Sequence, residues 1–326
     1  MRLLVTGGAG YIGSVVAALL ADGGHEVVVV DDLSTGHADA VPATATFRQG
    51  TIRGDDVRAV LAAGMDAVLH FAAKSLVAES VAHPARYWDN NLGGTLALLE
   101  AMRVAGTPRI VFSSTAAVYG EPKRIPITES DPVLPVNPYG ETKLAVDTAL
   151  AEHARMHGVG AVSLRYFNVA GAAADAAGTW HGERHDPETH LIPTVLATAR
   201  DGGTLRLFGD DYPTPDGTCI RDYVHVSDLA RAHLLALDAA EPGSHAVYNL
   251  GSGTGYSNRE VLDACREVTG LDIPAEVAPR RPGDSTALVA SSDAIARDLD
   301  WRPEHDLRSM VADAWTFTRQ IAAAGR

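Results

Sequence analysis

The chain has 326 residues, 46% of them hydrophobic, and a net charge of −14 from 27 Lys+Arg against 41 Asp+Glu. That length carries one large domain or two ordinary ones with a sizeable core, and the acidity argues against non-specific binding to nucleic acid or to an anionic membrane surface. Two distant cysteines, Cys219 and Cys265, argue against a disulfide framework or a thiolate metal site, and no apolar run reaches the roughly 18 residues of a membrane span, so a cytoplasmic protein is expected.

The first predicted element is a strand. Leu3-Leu4-Val5 is a short apolar run that stops at Thr6-Gly7, as a central parallel strand does. A chain that opens on a core strand leaves no room for a signal peptide. Gly8-x-Gly10-x-x-Gly13 fits the dinucleotide fingerprint, and Gly7-x-x-Gly10-x-x-Gly13 fits its variant. The early glycines allow a tight turn and close approach of backbone to a pyrophosphate, and Gly13 lets the next helix, Ser14 to Ala21, pack on the strand. The pyrophosphate then sits at a helix N-terminus, where free N–H groups and the dipole favour anions. A second strand, Val27–Val30, ends at Asp31. An acid there can bind both hydroxyls of an adenosine ribose and repels a 2′-phosphate, so NAD is expected rather than NADP.

Further along, apolar runs alternate with helical patterns, the signature of βαβ units. Strands are predicted at Ala45–Gln49, Ala67–Phe71, Arg109–Ser114 and Gly160–Arg165. Helices are predicted around Asp55–Ala63, over Tyr87–Ala105 with Leu92, Leu96 and Leu99 on one face, and over Tyr139–His157 after Asn137-Pro138. The expected fold is α/β: a Rossmann-type doubly wound parallel sheet. After Asn168 the texture changes. Ala172–Gly178 and His181–His190 read as loop, Leu205–Phe208 as a short strand, Val224–Leu237 as a turn and helix, and Ala246–Leu250 as a strand returning to the main sheet. From Ser257 onward the pattern is helix, Pro-rich loop, helix. The expected division is a cofactor domain of residues 1–167 with about 224–250 returning to it, and a smaller mixed α/β substrate domain of 168–223 and 251–326.

Tyr139-x-x-x-Lys143 carries the strongest catalytic signal. Positions i and i+4 share a helix face. Tyrosine, with a pKa near 10, is a poor base at neutral pH, and a nearby ammonium stabilises its phenolate; a fall of about three units needs roughly 4 kcal/mol. Ser113-Ser114-Thr115 ends the preceding strand at the carboxyl edge, where ligands bind in such sheets. Thr115 can hydrogen-bond a substrate hydroxyl or a developing carbonyl. The glycine turn, Asp31, Thr115, Tyr139 and Lys143 together are far more specific than any of them alone.

The chain resembles the extended short-chain dehydrogenase/reductases, and within them the nucleotide-sugar 4-epimerases. The resemblance runs almost end to end. It includes TGGAGYIG (6–13), HFAA (70–73), AESV (78–81), YWDNNLGGT (87–95), SSTAAVYG (113–120), NPYGETK (137–143), LRYFN (164–168), FGDDYPTPDGTCIRDYVHV (208–226), YNLGSG (248–253) and APRRPGD (278–284). It implies reversible 4-epimerisation of UDP-glucose and UDP-galactose through a transient 4-keto sugar, with tightly bound NAD. Gly7, Gly10, Tyr11, Ile12, Gly13, Asp31, Asp32 and Leu33 would hold the adenosine and pyrophosphate side of NAD; Phe71, Ala72, Ala73, Asn91, Lys143 and Phe167 would line the rest. Tyr139 would be the base and Thr115 its partner. Asn168, Leu191, Leu205, Leu207, Phe208, Arg221, Arg281 and Asp284 would hold the UDP-sugar. The two arginines also make chemical sense, because a diphosphate entering an acidic chain needs guanidinium partners. A homodimer built on two long helices per subunit is implied as well.

Some positions depart from the family's pattern. Gly50-Thr51 stands where Gly-Asp is frequent, the loop lysine falls at Lys74-Ser75, His190 replaces an Asn of some members, and Leu288 occupies a position, frequently Tyr or Cys, that sets the size of the sugar pocket. Relatives that act on UDP-N-acetylhexosamines or UDP-uronic acids are the alternative within the same chemistry. Sugar-nucleotide dehydratases and decarboxylases need an acid just after Thr115, where this chain has Ala116-Ala117. NAD-sensing regulators keep the glycine turn but tend to lose the Tyr/Lys pair. His181-x-x-x-His185 places histidines at i, i+4, but in a polar loop bounded by Gly and Pro, so no metal is expected.

Overall fold

Seven of the apolar runs lie side by side. The computed structural model describes residues 1–281 and 284–324; Pro282 and Gly283 of the 278–284 motif fall outside the described residues. Strands β1 (Arg2–Thr6), β2 (Glu26–Asp31), β3 (Thr46–Gln49), β4 (Ala67–His70), β5 (Arg109–Ser113), β6 (Gly160–Tyr166) and β7 (His245–Leu250) form one sheet in the order β7-β6-β5-β4-β1-β2-β3. All six pairings are parallel. The order reverses between β1 and β4, and the crevice beyond their carboxyl ends is where such sheets bind ligands.

The strand residues alternate between two cores, as a period of two requires. Leu3, Val5, Val27, Val29 and Leu69 face one side, where Tyr11–Asp22 and Val226–Asp238 cover them. Leu4, Val28, Val30 and Val68 face the other, under Asp55–Ala62, Gly94–Ala105 and Pro138–His157. Asn137 caps the last of these helices by accepting from the Gly140 N–H, with Pro138 in the first turn. A separate core joins Leu191–Asp201, Asn258–Thr269 and Leu307–Ala324 through Val195, Leu196, Leu262, Cys265, Met310 and Val311.

Three details differ from the sequence reading. The Tyr87–Ala105 helix is interrupted by a π-helical stretch, Trp88–Gly93, which shifts the register of the helical turns beyond it. The buried face of Gly94–Ala105 is therefore Thr95, Leu98, Leu99 and Met102, while Leu96 is 47% exposed. Ala172–Ala174 and Trp180–Gly182 form a small antiparallel hairpin rather than loop. The Pro-rich segment also supplies two short strands: Ala275–Ala278 pairs with Leu205–Phe208, and Ala287–Leu288 with Ile220–Arg221.

The turn after β1 is fixed by close approach. A Cβ on Gly7 would stand 2.5 Å from the Ala72 nitrogen, and Gly7 has a φ of +74°. A Cβ on Gly13 would collide with the Gly7 carbonyl oxygen, a backbone atom that cannot swing aside. Gly13→Ala is therefore expected to destabilise the protein by roughly 1–3 kcal/mol, the usual scale of overpacking. Thermal melting checks this, and an unchanged melting temperature would mean that the turn opens freely.

Candidate active site

At the carboxyl end of β1 the chain passes through the glycine turn into the Tyr11–Asp22 helix. Gly7 donates to Val30 O at 2.9 Å and Gly10 to Gly7 O at 3.2 Å, so the turn is tied both to β2 and to itself. Asp31, 8% exposed at the end of β2, accepts from Ala9 N at 3.0 Å and Leu33 N at 2.8 Å. Burial pushes its carboxyl up and the charge of Asp32 adds to that, while these two N–H groups pull it back. Leu33 sits in the left-handed region at φ 58°, a conformation seldom adopted by a side chain of this size. Asp32 lies beside it, accepting from Ser34 N. The strand–turn–helix and the acid ending β2 fit a dinucleotide: space where side chains are missing, N–H groups at a helix start, and a carboxylate held on one side by backbone.

Opposite the turn, Phe71 and Ala72 both donate to Thr6 O, which sets Phe71, Ala72 and Ala73 along the rim beyond β4. Asn91, 2% exposed, makes all its bonds within the chain. Its Oδ1 accepts from Lys74 N and Asn90, and its Nδ2 donates to Lys74 O and to Thr142. It braces the rim against the helix that carries Tyr139 and Lys143. Tyr11 donates its hydroxyl to Gly171 O at 2.7 Å, and Ile12 packs into the adjoining core.

Pro138–His157 places Tyr139 and Lys143 on one face. Lys143 is 2% exposed, donates to Ser113 O at 2.7 Å, and lies over the Phe112 ring at 4.7 Å. Burial lowers its pKa to about 7, against an opposing lift from Asp147. The Tyr139 ring centre is 5.9 Å from the ammonium. Burial raises the Tyr139 pKa and a hydrogen bond with Thr115 works the other way. The Tyr–Lys spacing leads one to expect that Lys143 lowers Tyr139. In the protein alone the direction is opposite, because Lys143 donates to a backbone carbonyl and the phenol is desolvated. Thr115 begins a short 3-10 turn, its hydroxyl accepting from Ala117 N.

The residues assigned to the sugar nucleotide gather on the second core's side. Arg221 donates to Ser285 O at 2.9 Å and Ile220 O at 2.8 Å and lies 3.6 Å from Asp284. Arg281 stacks over Phe208 at 4.0 Å. Asn168 pairs with Tyr223, and Leu191 opens its helix. Leu205 and Leu207 are each 2% exposed, so both are buried beneath the surface rather than presented on it. Phe167 and Leu288 pack on a small apolar group of Val118, Tyr119 and Ile127.

A family model described as the NAD dependent epimerase/dehydratase family matches residues 3–251. The chain belongs to this family. A UDP-glucose 4-epimerase of Corynebacterium glutamicum is 55% identical over 325 residues, 98% of this chain and 97% of the relative. Another from Streptomyces lividans is 54% identical over 322 residues, 97% of this chain and 95% of the relative. Among solved structures, the UDP-glucose 4-epimerase from Brucella ovis in complex with NAD matches with a TM-score of 0.89 at 45% identity, covering 97% of this chain and 98% of that one. The epimerase from Bifidobacterium longum in complex with NAD+ and UDP matches at 0.90 and 36%, covering 98% of each.

The structure adds to the family pattern a buried relay that the sequence motifs do not reveal. Asp147 continues the Tyr139–Lys143 stripe by one turn. Its Oδ2 accepts from Arg165 Nε at 3.0 Å and Nη2 at 2.9 Å, and from Ser114 at 3.3 Å. Arg165 donates on to the Tyr119 hydroxyl, which donates to Asn249. The other Asp147 oxygen has no partner among the described residues. Asp222 is a second such residue, wholly buried and accepting from Ser252, Gly253 and Ala290. Extending the i, i+4 spacing to i+8 would have found Asp147; no spacing marks Asp222. Asp147→Ala leaves Arg165 charged, buried and alone, and is expected to cost about 3–5 kcal/mol. Asp147→Leu combined with Arg165→Met should recover most of that loss in chemical denaturation, and a double variant as unstable as the single one would refute the pairing.

Proposed function

We infer that the protein interconverts UDP-glucose and UDP-galactose by inverting C4 through a transient 4-keto sugar, with NAD held throughout the cycle. The observation that carries this reading is the juxtaposition of Thr115, Tyr139 and Lys143 beyond β5, together with alanines at 116 and 117. A proton acceptor is in place, and the acid that elimination requires is missing.

Gly7, Gly10, Tyr11, Ile12, Gly13, Asp31, Asp32 and Leu33 hold the adenosine half of the cofactor. Phe71, Ala72, Ala73, Lys143 and Phe167 enclose the other half, with Asn91 fixing the rim. When bound, NAD supplies the acceptor and donor of hydride at sugar C4. Tyr139 takes the proton of the 4-hydroxyl and returns it to the same oxygen once the ring has turned over to offer its other face at C4, while Thr115 holds the oxygen that loses and regains it. Lys143 offers the positive charge that a buried phenolate needs. Asp147 offsets part of the burial that pulls the pKa of that ammonium down. Arg221, Arg281 and Asp284 anchor the UDP end with Asn168, Leu191, Leu205, Leu207 and Phe208, so that the sugar can turn while the nucleotide stays.

A homodimer is part of the same proposal. Leu96 and Val104 on Gly94–Ala105, and Met156 on Pro138–His157, are 47%, 73% and 61% exposed, and the two helices adjoin. Among the described residues no helix is long and apolar enough to cross a membrane. Cys219 and Cys265 are both free, which suits the reducing cytoplasm.

Tyr139→Phe keeps the ring and removes the proton acceptor. In a coupled assay with UDP-galactose, turnover should fall by roughly two orders of magnitude or more while UDP-sugar binding survives. Near-normal turnover would mean that another group is the base.

The range of sugars turns on Leu288. An acetamido group at C2 needs room when the ring turns over, and leucine is intermediate between a bulky tyrosine and a small cysteine. UDP-glucose and UDP-galactose are the expected main pair, with weak turnover of the N-acetylated pair. Leu288→Gly should raise the N-acetyl activity selectively. The ratio of kcat/KM for the two pairs, in wild type and variant, measures this; an unchanged ratio would show that Leu288 does not wall the pocket.

A further inference from the structure

The segment after Trp180–Gly182 contains Glu-x-His twice: Glu183-Arg184-His185 and Glu188-Thr189-His190. His181, which the i, i+4 spacing pairs with His185, goes elsewhere, to Ala40 O and Asp175. The loop instead gathers the two Glu-x-His units. His185 Nδ1 lies 2.8 Å and His190 Nδ1 2.5 Å from the same oxygen, Oε1 of Glu183. Glu188 Oε1 is 3.4 Å from His190 Nδ1. One donor atom from each of the four residues lies within 4.8 Å of all the others.

We propose that Glu183, His185, Glu188 and His190 form a binding site for one divalent transition-metal ion of the zinc class, which fastens this loop ahead of the Leu191–Asp201 helix. Two imidazoles and two carboxylates are a donor set that suits zinc, cobalt or nickel, and the imidazoles disfavour calcium and magnesium. Bonds of about 2.0–2.1 Å in a tetrahedron separate donor atoms by about 3.3 Å. The present separations run from 2.5 Å to at most 4.8 Å, so shifts of about 1.5 Å or less, opening the shortest pairs and closing the longest, are enough.

The surroundings are also those of a ligand site. The Glu183 side chain is 5% exposed and that of His190 45%, which gives a buried floor and an open rim. Glu188 is already oriented by the Thr189 and His190 N–H groups, at 2.7 and 2.8 Å. The loop is held to the far side of the cofactor cradle as well, through His37 to Arg184 O and a two-bond Arg184–Asp39 pair. A metal would thus tie the segment entering Leu191–Asp201 to a loop already docked on residues 37–40.

The test uses tag-free protein, dialysed against a chelator and titrated with Co²⁺ as a spectroscopic stand-in for zinc. The expected result is one ion per chain, with the visible bands of a four-coordinate centre that Zn²⁺ abolishes. His185→Ala and Glu183→Gln should each weaken binding by about 10–100-fold or more. His157→Ala, an exposed histidine elsewhere, should leave it unchanged. Retained NAD and far-UV circular dichroism establish that each variant is folded; should buried Glu183→Gln fail to fold, His185→Ala at the rim decides. Absence of a stoichiometric cobalt centre, unchanged affinity in His185→Ala, or an equal loss in His157→Ala would overturn the site.

Discussion

Where the chain leaves β1 it has to turn within the space of missing side chains. Gly7 passes so close to Ala72 that a methyl group there would overlap the backbone beyond β4, and Gly13 is pressed in the same way on Gly7. This contact joins the two strands between which the sheet order reverses. Once it is made, the Ala9 N–H is aimed at Asp31, the rim at Phe71 is tied to Thr6 O, and the Tyr11–Asp22 helix starts at the crevice. A backbone held this tightly cannot relax around a wrong side chain, which is why the most informative part of the sequence is its glycines.

The second half of the site depends on charges that the interior disfavours. Lys143, Asp147 and Arg165 are 2%, 4% and 6% exposed. Burial makes the tyrosine harder to ionise and the lysine easier to neutralise. Positive charge brought against the phenol would work against that burial. The bonds from Asp147 through Arg165 and Tyr119 to Asn249 fix a carboxylate one helical turn beyond Lys143, whose own hydrogen bond goes to Ser113 O. A carboxylate in direct contact with Tyr139 would have held the proton on the phenol; Asp147, one turn beyond Lys143, is paired with Arg165 and Ser114 and lifts the lysine instead.

Much of this is legible in the sequence because it is local. The glycine turn, Asp31 at the end of an apolar run, the Tyr–Lys spacing and the Ser/Thr strand end each lie within a few residues, and six of the seven sheet strands, all but β3, carry Val, Ile or Leu in short apolar runs. The sequence misleads where period or contact is non-local. A 3.6-residue period carried through Trp88–Gly93 puts Leu96 on the buried face of its helix, and the π-helical stretch breaks that period. The Ala172–Gly182 segment looks like loop because Ala and Gly hide a hairpin whose strands are three residues each. Asp222 and Arg165 act through partners 30 and 18 residues away, and no pattern along the chain records that. The Tyr139 ionisation departs from expectation for a different reason: spacing shows that Lys143 is near, and only burial shows what the pair is without a cofactor.

The two ends of the substrate site are held by different kinds of force, and that difference suits a sugar that must present both faces. Toward the end proposed for the nucleotide, Arg221 is itself fixed by carbonyls of Ile220 and Ser285, and Arg281 by the Phe208 ring, so the guanidiniums would meet a diphosphate with little freedom left to lose. On the side proposed for the sugar, Leu288 packs on an apolar group of Val118, Tyr119 and Ile127. Apolar contact has no preferred direction. A ring resting on it can rotate without breaking directed hydrogen bonds, whereas a wall of amides or carboxylates would bind one face and penalise the other. In the proposed mechanism the directed contacts that the reaction requires are then few, Tyr139 and Thr115 at a single oxygen, and they would serve either orientation because that oxygen is at the reacting carbon itself.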